Sequence, residues 1–250
     1  MSGKLSHIWR HPIKSHGREA LERVAITAGA TMPWDRCWAV AHEAARTDGS
    51  EWATCANYSR GSKAPALMAI EAQLDEATET VTLTHPNQDA LSFRPDAAED
   101  LQRFLDWVAP LMPEDRAQSV RIDRVPGRGM TDAAFPSISL CGEASLRALS
   151  GKFSAPLDPR RFRINLWVDG LGPWEEFEWV GREITVGSTR YKVEERIERC
   201  MATTANPDTG IRDADILGTL EEGWGHRDLG VQLVAVEGGD IAIGDPVALV

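Results

Sequence analysis

The closing stretch LGVQLVAVEGGDIAIGDPVALV (229–250) constrains the fold more than any other segment. Its apolar and polar positions alternate with the period of a strand. Gly238–Gly239 and Gly244–Asp245 split it into two or three strands. EITVGSTRYKVEERIE (183–198) reads as a hairpin turning at Gly187–Ser188. Further strand character lies at 4–13, 18–27, 35–43, 66–74, 80–86 and 116–125, and most strongly in RFRINLWV (161–168). Helical periodicity is isolated. AAEDLQRFLDWV (97–108) puts Leu101, Phe104, Leu105 and Val108 on one face, and shorter helices fit 141–150 and 213–222, with Asp213 as an N-cap. Single helices among many strands predict a mainly antiparallel α+β or barrel fold, not a doubly wound parallel sheet. A soft boundary falls near 94–120, where the first group of strands ends.

Composition excludes several classes. A net charge of −11 argues against non-specific binding to nucleic acid or anionic membrane. No run approaches the ~20 apolar residues of a membrane span. The first residues lack a signal-peptide core, so a cytoplasmic protein is expected. Cys37, Cys55, Cys141 and Cys200 are far apart, with no CxxC pair, which disfavours structural zinc and iron–sulfur clusters. His7, His11 and His16 follow no ligand spacing. GxGxxG and P-loop patterns are missing, and Ser137, in FPSISL, has no GxSxG around it.

Two features carry chemistry. Cys200 follows a strand and opens a loop of threonines and turn residues, where a thiolate serves as nucleophile or soft metal ligand. A packing cysteine beside the NPDTG turn gives the same pattern. Lys14, with Ser15 beside it, and Arg36, Arg160, Arg161, Arg163 and Arg199 form a dispersed basic set. Arg161 and Arg163 would share one strand face and Arg36 would open a strand. Together they suit an anion pocket, and separately they suit solvated surface.

RCMATTANPDTG (199–210) resembles the RCxxTTVDPDTG signature of MOSC domains, named for the C-terminal domain of molybdenum-cofactor sulfurase. RFRINLWV resembles that family's RFRPN strand, GEASLRAL (142–149) its SxASL helix, and IAIGDPV (241–247) its closing barrel strand. HPIKS (11–15) and DRCW (35–38) are similar to the YPVKS and DRRW motifs of the N-terminal β-barrel domain that often precedes MOSC. The resemblance implies a mainly β, α+β chain, with an N-terminal β-barrel-like domain over 1–95 packed with a β-barrel MOSC domain over 96–250. Ile164 in place of proline and Asn206 in place of aspartate depart from the pattern, although Asn still serves a turn.

The resemblance extends to the amidoxime-reducing components and implies a molybdenum cofactor (molybdopterin), with Cys200 as the thiolate ligand to molybdenum. Lys14, Ser15, Arg36 and Arg163 would clamp the cofactor's phosphate or pterin. Asn165, Arg199 and, more loosely, Ser137 would complete the contacts. The implied activity is reduction of small N-hydroxylated compounds (amidoximes, hydroxylamines, N-oxides). No ferredoxin-like cysteine set follows the MOSC part, so the implied electron donor is a separate protein of flavin, cytochrome or iron–sulfur type. An aminotransferase-like domain is also missing, which argues against a cofactor sulfurase. The alternative is a sulfur carrier with a persulfide on Cys200. The loops 44–65 and 169–180 remain to shape a substrate site. The second, DGLGPWEEFEWV, reads as a solvated turn beside core tryptophans in preference to a rim for a cationic substrate.

Overall fold

In the computed structural model, which describes residues 2–250, strands dominate. In chain order they are β1 (Ser2–Arg10), β2 (Glu19–Leu21), β3 (Arg23–Ile26), β4 (Ala39–His42), β5 (Glu71–Asp75), β6 (Thr80–His85), β7 (Gln88–Phe93) and β8 (Ser119–Asp123). The second half adds β9 (Ile138–Gly142), β10 (Leu166–Asp169), β11 (Glu183–Val186), β12 (Thr189–Glu198), β13 (Asp228–Glu237), β14 (Gly239–Ala242) and β15 (Pro246–Leu249). The α-helices among the described residues are α1 (Ala98–Val108), α2 (Glu143–Phe153) and α3 (Ile216–Trp224), and none is long and apolar enough to cross a membrane.

The ring β1–β10–β9–β13–β12–β11–β15 closes back on β1, with β2 extending the sheet as a flap. This closed seven-stranded barrel bears out the mainly β, barrel-containing fold that was expected. A closed ring with an odd number of strands cannot be antiparallel throughout. The parallel pair falls between β9 and β10, in the register Leu140↔Leu166. Parallel neighbours need a crossover connection. Here it contains α2 and a 3-10 turn at Pro159–Phe162, and it delivers the RFRIN residues to the barrel's edge. The interior is filled by alternating residues such as Leu5, Ile138, Leu166, Tyr191 and Val231, all fully buried. Each buried aliphatic of this size contributes roughly 1.5–3 kcal/mol.

A second core lies outside the barrel. The meander β5–β6–β7, the pair β4–β8 and α1 enclose Ile13, Trp38, Leu83 and Phe93. Phe104 and Val108, one helical turn apart, bury the α1 face that the periodicity marked. Phe104 stacks on Phe93 at 4.9 Å. The division expected after residue 95 falls inside this body, because α1 packs on it and β8 pairs with β4. The first strand, β1, belongs to the seven-stranded barrel instead.

Several expected strands differ. RFRINLWV is strand only from Leu166. Pro159 opens the 3-10 turn, Asp158 caps it by accepting the Arg160 amide at 2.8 Å, and Arg163 is left-handed with φ 51°. Arg161 and Arg163 therefore share no strand face. Arg36 opens no strand either, since it too has φ 51° and β4 starts at Ala39. Pro65–Ala69 forms a 3-10 turn before β5, because proline brings no N–H to a ladder. Cys141 lies within β9, which ends at Gly142, instead of opening α2. Asp215, not Asp213, caps α3, accepting the Gly218 amide at 3.0 Å. The 169–180 loop is no solvated turn, because Glu176 is fully buried and Trp179 nearly so.

Candidate active site

A cavity of about 180 Å³ opens where the two cores meet. Lys14, Ser15, Arg36, Ser137, Arg163, Asn165, Arg199 and Cys200, separated by up to 186 positions (200 minus 14), all line it. The 169–180 loop contributes nothing to its wall.

The N-terminal side is a turn. His16 N–H donates to the Ile13 carbonyl at 3.0 Å, and Ser15 takes φ 63° between them. Lys14 is almost fully buried, and its ammonium donates to the Met130 carbonyl at 2.7 Å and to Asp132 at 2.5 Å. Arg36 is fixed by the buried Asp35 carboxylate and donates through Nη2 to the Arg163 carbonyl at 2.9 Å. Asp35 also accepts the His11 backbone amide at 2.8 Å. Burial works against the Asp35 anion, but Arg36 and His11 outweigh it and hold the carboxyl well below its usual range.

The crossover supplies the other side. Arg163 donates through Nη1 to the Gly17 carbonyl at 3.1 Å, while its buried Nη2 has no partner among the described residues. Burial, with Arg36 and Arg18 close by, pushes this guanidinium down to about 9. It is a desolvated cation with no carboxylate bonded to it, which is the environment an anionic ligand relieves. Arg161 is paired with Asp213 at 2.7 Å but leaves its buried Nε unbonded.

Asn165 and Arg199 line the cavity, yet their polar groups serve the scaffold. The Asn165 side chain accepts from the Ser139 hydroxyl at 2.9 Å and donates to the Trp9 carbonyl at 3.1 Å, joining β1, β9 and the crossover. Arg199 donates to the carbonyls of Leu229 and of Phe162, the latter at 3.1 Å. Burial lowers it to about 10. Ser137 is buried just before β9.

Cys200 is exposed where β12 ends and the 3-10 turn Met201–Thr204 begins. It is not a core thiol. Cys141, by contrast, is fully buried at 3.6 Å from Glu176, and burial together with that carboxyl raises its thiol well above the ordinary value. After Cys200, Thr203 donates back to the Cys200 carbonyl through both its amide and its hydroxyl, at 3.1 and 3.0 Å. The following PDTG turn docks on the N-terminal body. Arg18 holds the Pro207 carbonyl at 2.8 Å, and Arg212 reaches the Ser62 carbonyl at 2.8 Å. Gly210, at φ 70°, lies so close that a Cβ would sit 2.5 Å from Ala66 Cα.

The histidines do not converge. His11 lies on Asp35, His16 donates to the Lys14 carbonyl at 2.7 Å, and His7 is near Glu143. Sequence reasoning missed the anchors Asp35, Met130 and Asp132, and missed Cys55 and Arg60 on the wall. Loop 44–65 was marked only as a whole, and GRGM (127–130) has the composition of a flexible turn. Gly129 N–H in fact donates to Thr31 Oγ1 at 3.0 Å, and Met130 is fully buried.

The MOSC N-terminal β-barrel domain matches residues 2–118, and the MOSC domain matches residues 133–248. This chain is a MOSC-domain protein with the N-terminal β-barrel domain. Among its relatives is the mitochondrial amidoxime-reducing component 1 of Mus musculus, 25% identical over 292 residues that cover 99% of this chain and 82% of that one. The mitochondrial amidoxime reducing component 2 of Bos taurus is 24% identical over 84% of this chain and 69% of that protein. A molybdenum cofactor sulfurase of Drosophila willistoni is 34% identical over 32% of this chain and 10% of its own length. Among solved structures, the YuaD protein of Bacillus subtilis aligns over 99% of this chain and 94% of its own, with 12% identity and a TM-score of 0.48. Within this MOSC protein, the signature motif forms the Cys200 loop, and the two barrel-domain motifs supply Lys14, Ser15 and Arg36 to the same cavity.

Proposed function

We propose that this MOSC protein is a molybdenum-cofactor-dependent reductase of small N-hydroxylated compounds, with Cys200 as the protein thiolate on the metal. The observation that carries the reading is the pairing of an exposed Cys200 with Arg163, whose buried Nη2 has no partner among the described residues, on the wall of one cavity. A thiolate suits a soft metal, and a desolvated guanidinium suits a phosphate. The donor set therefore fits molybdopterin, and the amidoxime-reducing relatives support the same reading.

The bound cofactor would supply the redox chemistry. The chain's own residues bind and orient it. Arg163 and Lys14 would hold its phosphate, and Ser15 and Arg36 would bring left-handed backbone against it. Asn165 and Arg199, both on the cavity wall, keep the crossover and the Cys200 strand in register. Cys200 would give up its proton in binding the metal as a thiolate. In the overall reaction an electron pair from a separate donor protein and protons from water replace the N–O bond by N–H, and the oxygen leaves as water.

The test is turnover of benzamidoxime by molybdenum-loaded protein with a strong artificial donor, beside Cys200→Ala. Turnover that depends on Cys200 supports the reading, and none from fully loaded protein contradicts it. The exposure of Cys200 also favours a second reading, a sulfur carrier, whose mark is a mass increment of one sulfur on Cys200 in protein without molybdenum.

A further inference from the structure

Loop 44–65 brings Cys55, Arg60, Gly61 and Ser62 to the wall of the cavity, on the N-terminal body and against the Cys200 loop. The approach is close, since a Cβ on Gly61 would lie 3.5 Å from Ala202 Cβ. The charges lining the cavity are mostly matched within the protein. Lys14 is paired with Asp132, Arg36 with Asp35 and Arg161 with Asp213, and Arg199 is bound to backbone carbonyls. Arg163 is assigned above to the cofactor.

Arg60 remains. Among the described residues no carboxylate lies within ion-pair reach of it, and its one side-chain bond runs from Nη1 to Cys55 Sγ at 2.8 Å. Sulfur is a weak acceptor. The contact orients the guanidinium without neutralising it and leaves its other donors available. A planar fork held in that way matches a carboxylate or phosphate. In a chain of net charge −11, a local cation is also what lets a small anion approach. We infer that Arg60 is a specificity residue, and that the cavity selects N-hydroxylated compounds carrying an anionic group. The inference rests on the reductase reading. The opposing group is Glu198, a cavity-lining carboxylate at the exposed end of β12 with no ion pair among the described residues.

The experiment compares benzamidoxime with 4-carboxybenzamidoxime in the molybdenum-loaded protein and in Arg60→Ala, Arg60→Lys and Glu198→Gln. Molybdenum content is recorded for each, and binding of the product 4-amidinobenzoate is measured by calorimetry. The wild type is expected to favour the carboxylated substrate about tenfold in kcat/KM, through KM. Arg60→Ala brings the ratio near one and removes 4-amidinobenzoate binding at full molybdenum content, Arg60→Lys keeps part of the ratio, and Glu198→Gln does not lower it. Equal use of both substrates by the wild type overturns the proposal. So does a preference that survives Arg60→Ala, or a loss of molybdenum in Arg60→Ala, which would assign the residue to the cofactor. If loaded protein reduces neither compound, the reductase reading fails, and Arg60-dependent binding of 4-amidinobenzoate decides the anion site separately.

Discussion

Arg36 and Arg163 come from different bodies of the molecule, share a left-handed backbone at φ 51°, and are tied by the Arg36 Nη2 bond to the Arg163 carbonyl at 2.9 Å. Ser15 takes the same conformation on the same cavity wall, at φ 63°. A non-glycine residue held there costs on the order of 1–3 kcal/mol and persists where its surroundings over-determine it. Three such residues on one wall mark it as a place where the fold gives up stability.

Replacing Arg163 should therefore separate stability from cofactor binding. Arg163→Met removes a buried cation with an unbonded Nη2. The cofactor-free protein is expected to gain about 1–3 kcal/mol in urea unfolding, while molybdenum content falls several-fold. Loss of stability with full molybdenum content would contradict the account.

Gly210→Ala should strain the signature loop. The left-handed φ of 70° and the 2.5 Å approach of a Cβ to Ala66 Cα involve backbone on both sides, so neither can yield cheaply. The expected cost is about 1–3 kcal/mol, with faster alkylation of Cys200 as the loop loosens. Thermal unfolding and timed alkylation check both.

The barrel strands and the Cys200 loop were legible in the sequence because alternation and turn chemistry are local. The crossover was not. RFRIN alternates like a strand, but closing an odd ring demands a parallel pair, and that topological need turns Arg161–Arg163 into a 3-10 and left-handed bend. Of the basic set, Lys14, Arg36, Arg161, Arg163 and Arg199 line one cavity, whereas Arg160 is paired with Asp158 and Asp208 outside it, and which of them faces a ligand was not visible. Arg199 and Arg163 read alike as arginines near motifs, and only burial and partners separate the satisfied one from the open one. Arg60 carried no signal at all, since nothing local marks a loop that crosses to another body.

Acid should destabilise the protein through His16. Burial lowers this imidazole to about 4, and its Nε2 is unbonded. Between about 4 and 6.5 the unfolded chain binds more protons than the folded one, so stability falls as pH drops through that window and levels below it. The shift corresponds to about 3 kcal/mol. Buried His11, also lowered, acts in the same direction. His16→Gln should show a smaller loss of urea midpoint between pH 7 and 4 than the wild type.

Glu176 should behave with the opposite sign. Burial raises its carboxyl, which accepts the Ser145 hydroxyl at 2.9 Å and the Gly142 amide at 3.3 Å where α2 begins. The folded state holds this proton more tightly, so the stability it contributes is present below the ordinary carboxylate range and is lost as pH rises through the raised value. Glu176→Gln should remove that pH dependence at small cost, and Glu176→Ala should lose about 1–3 kcal/mol by unpairing the start of α2.

The central claim is that Cys200 binds molybdenum. The most direct measurement is sulfur-ligand X-ray absorption at the molybdenum edge, with elemental analysis, on wild type and Cys200→Ala produced in a host that makes the cofactor. The account predicts near-stoichiometric molybdenum in the wild type and one fewer sulfur neighbour in Cys200→Ala. An identical metal environment in both proteins, or no molybdenum in the wild type, would contradict it.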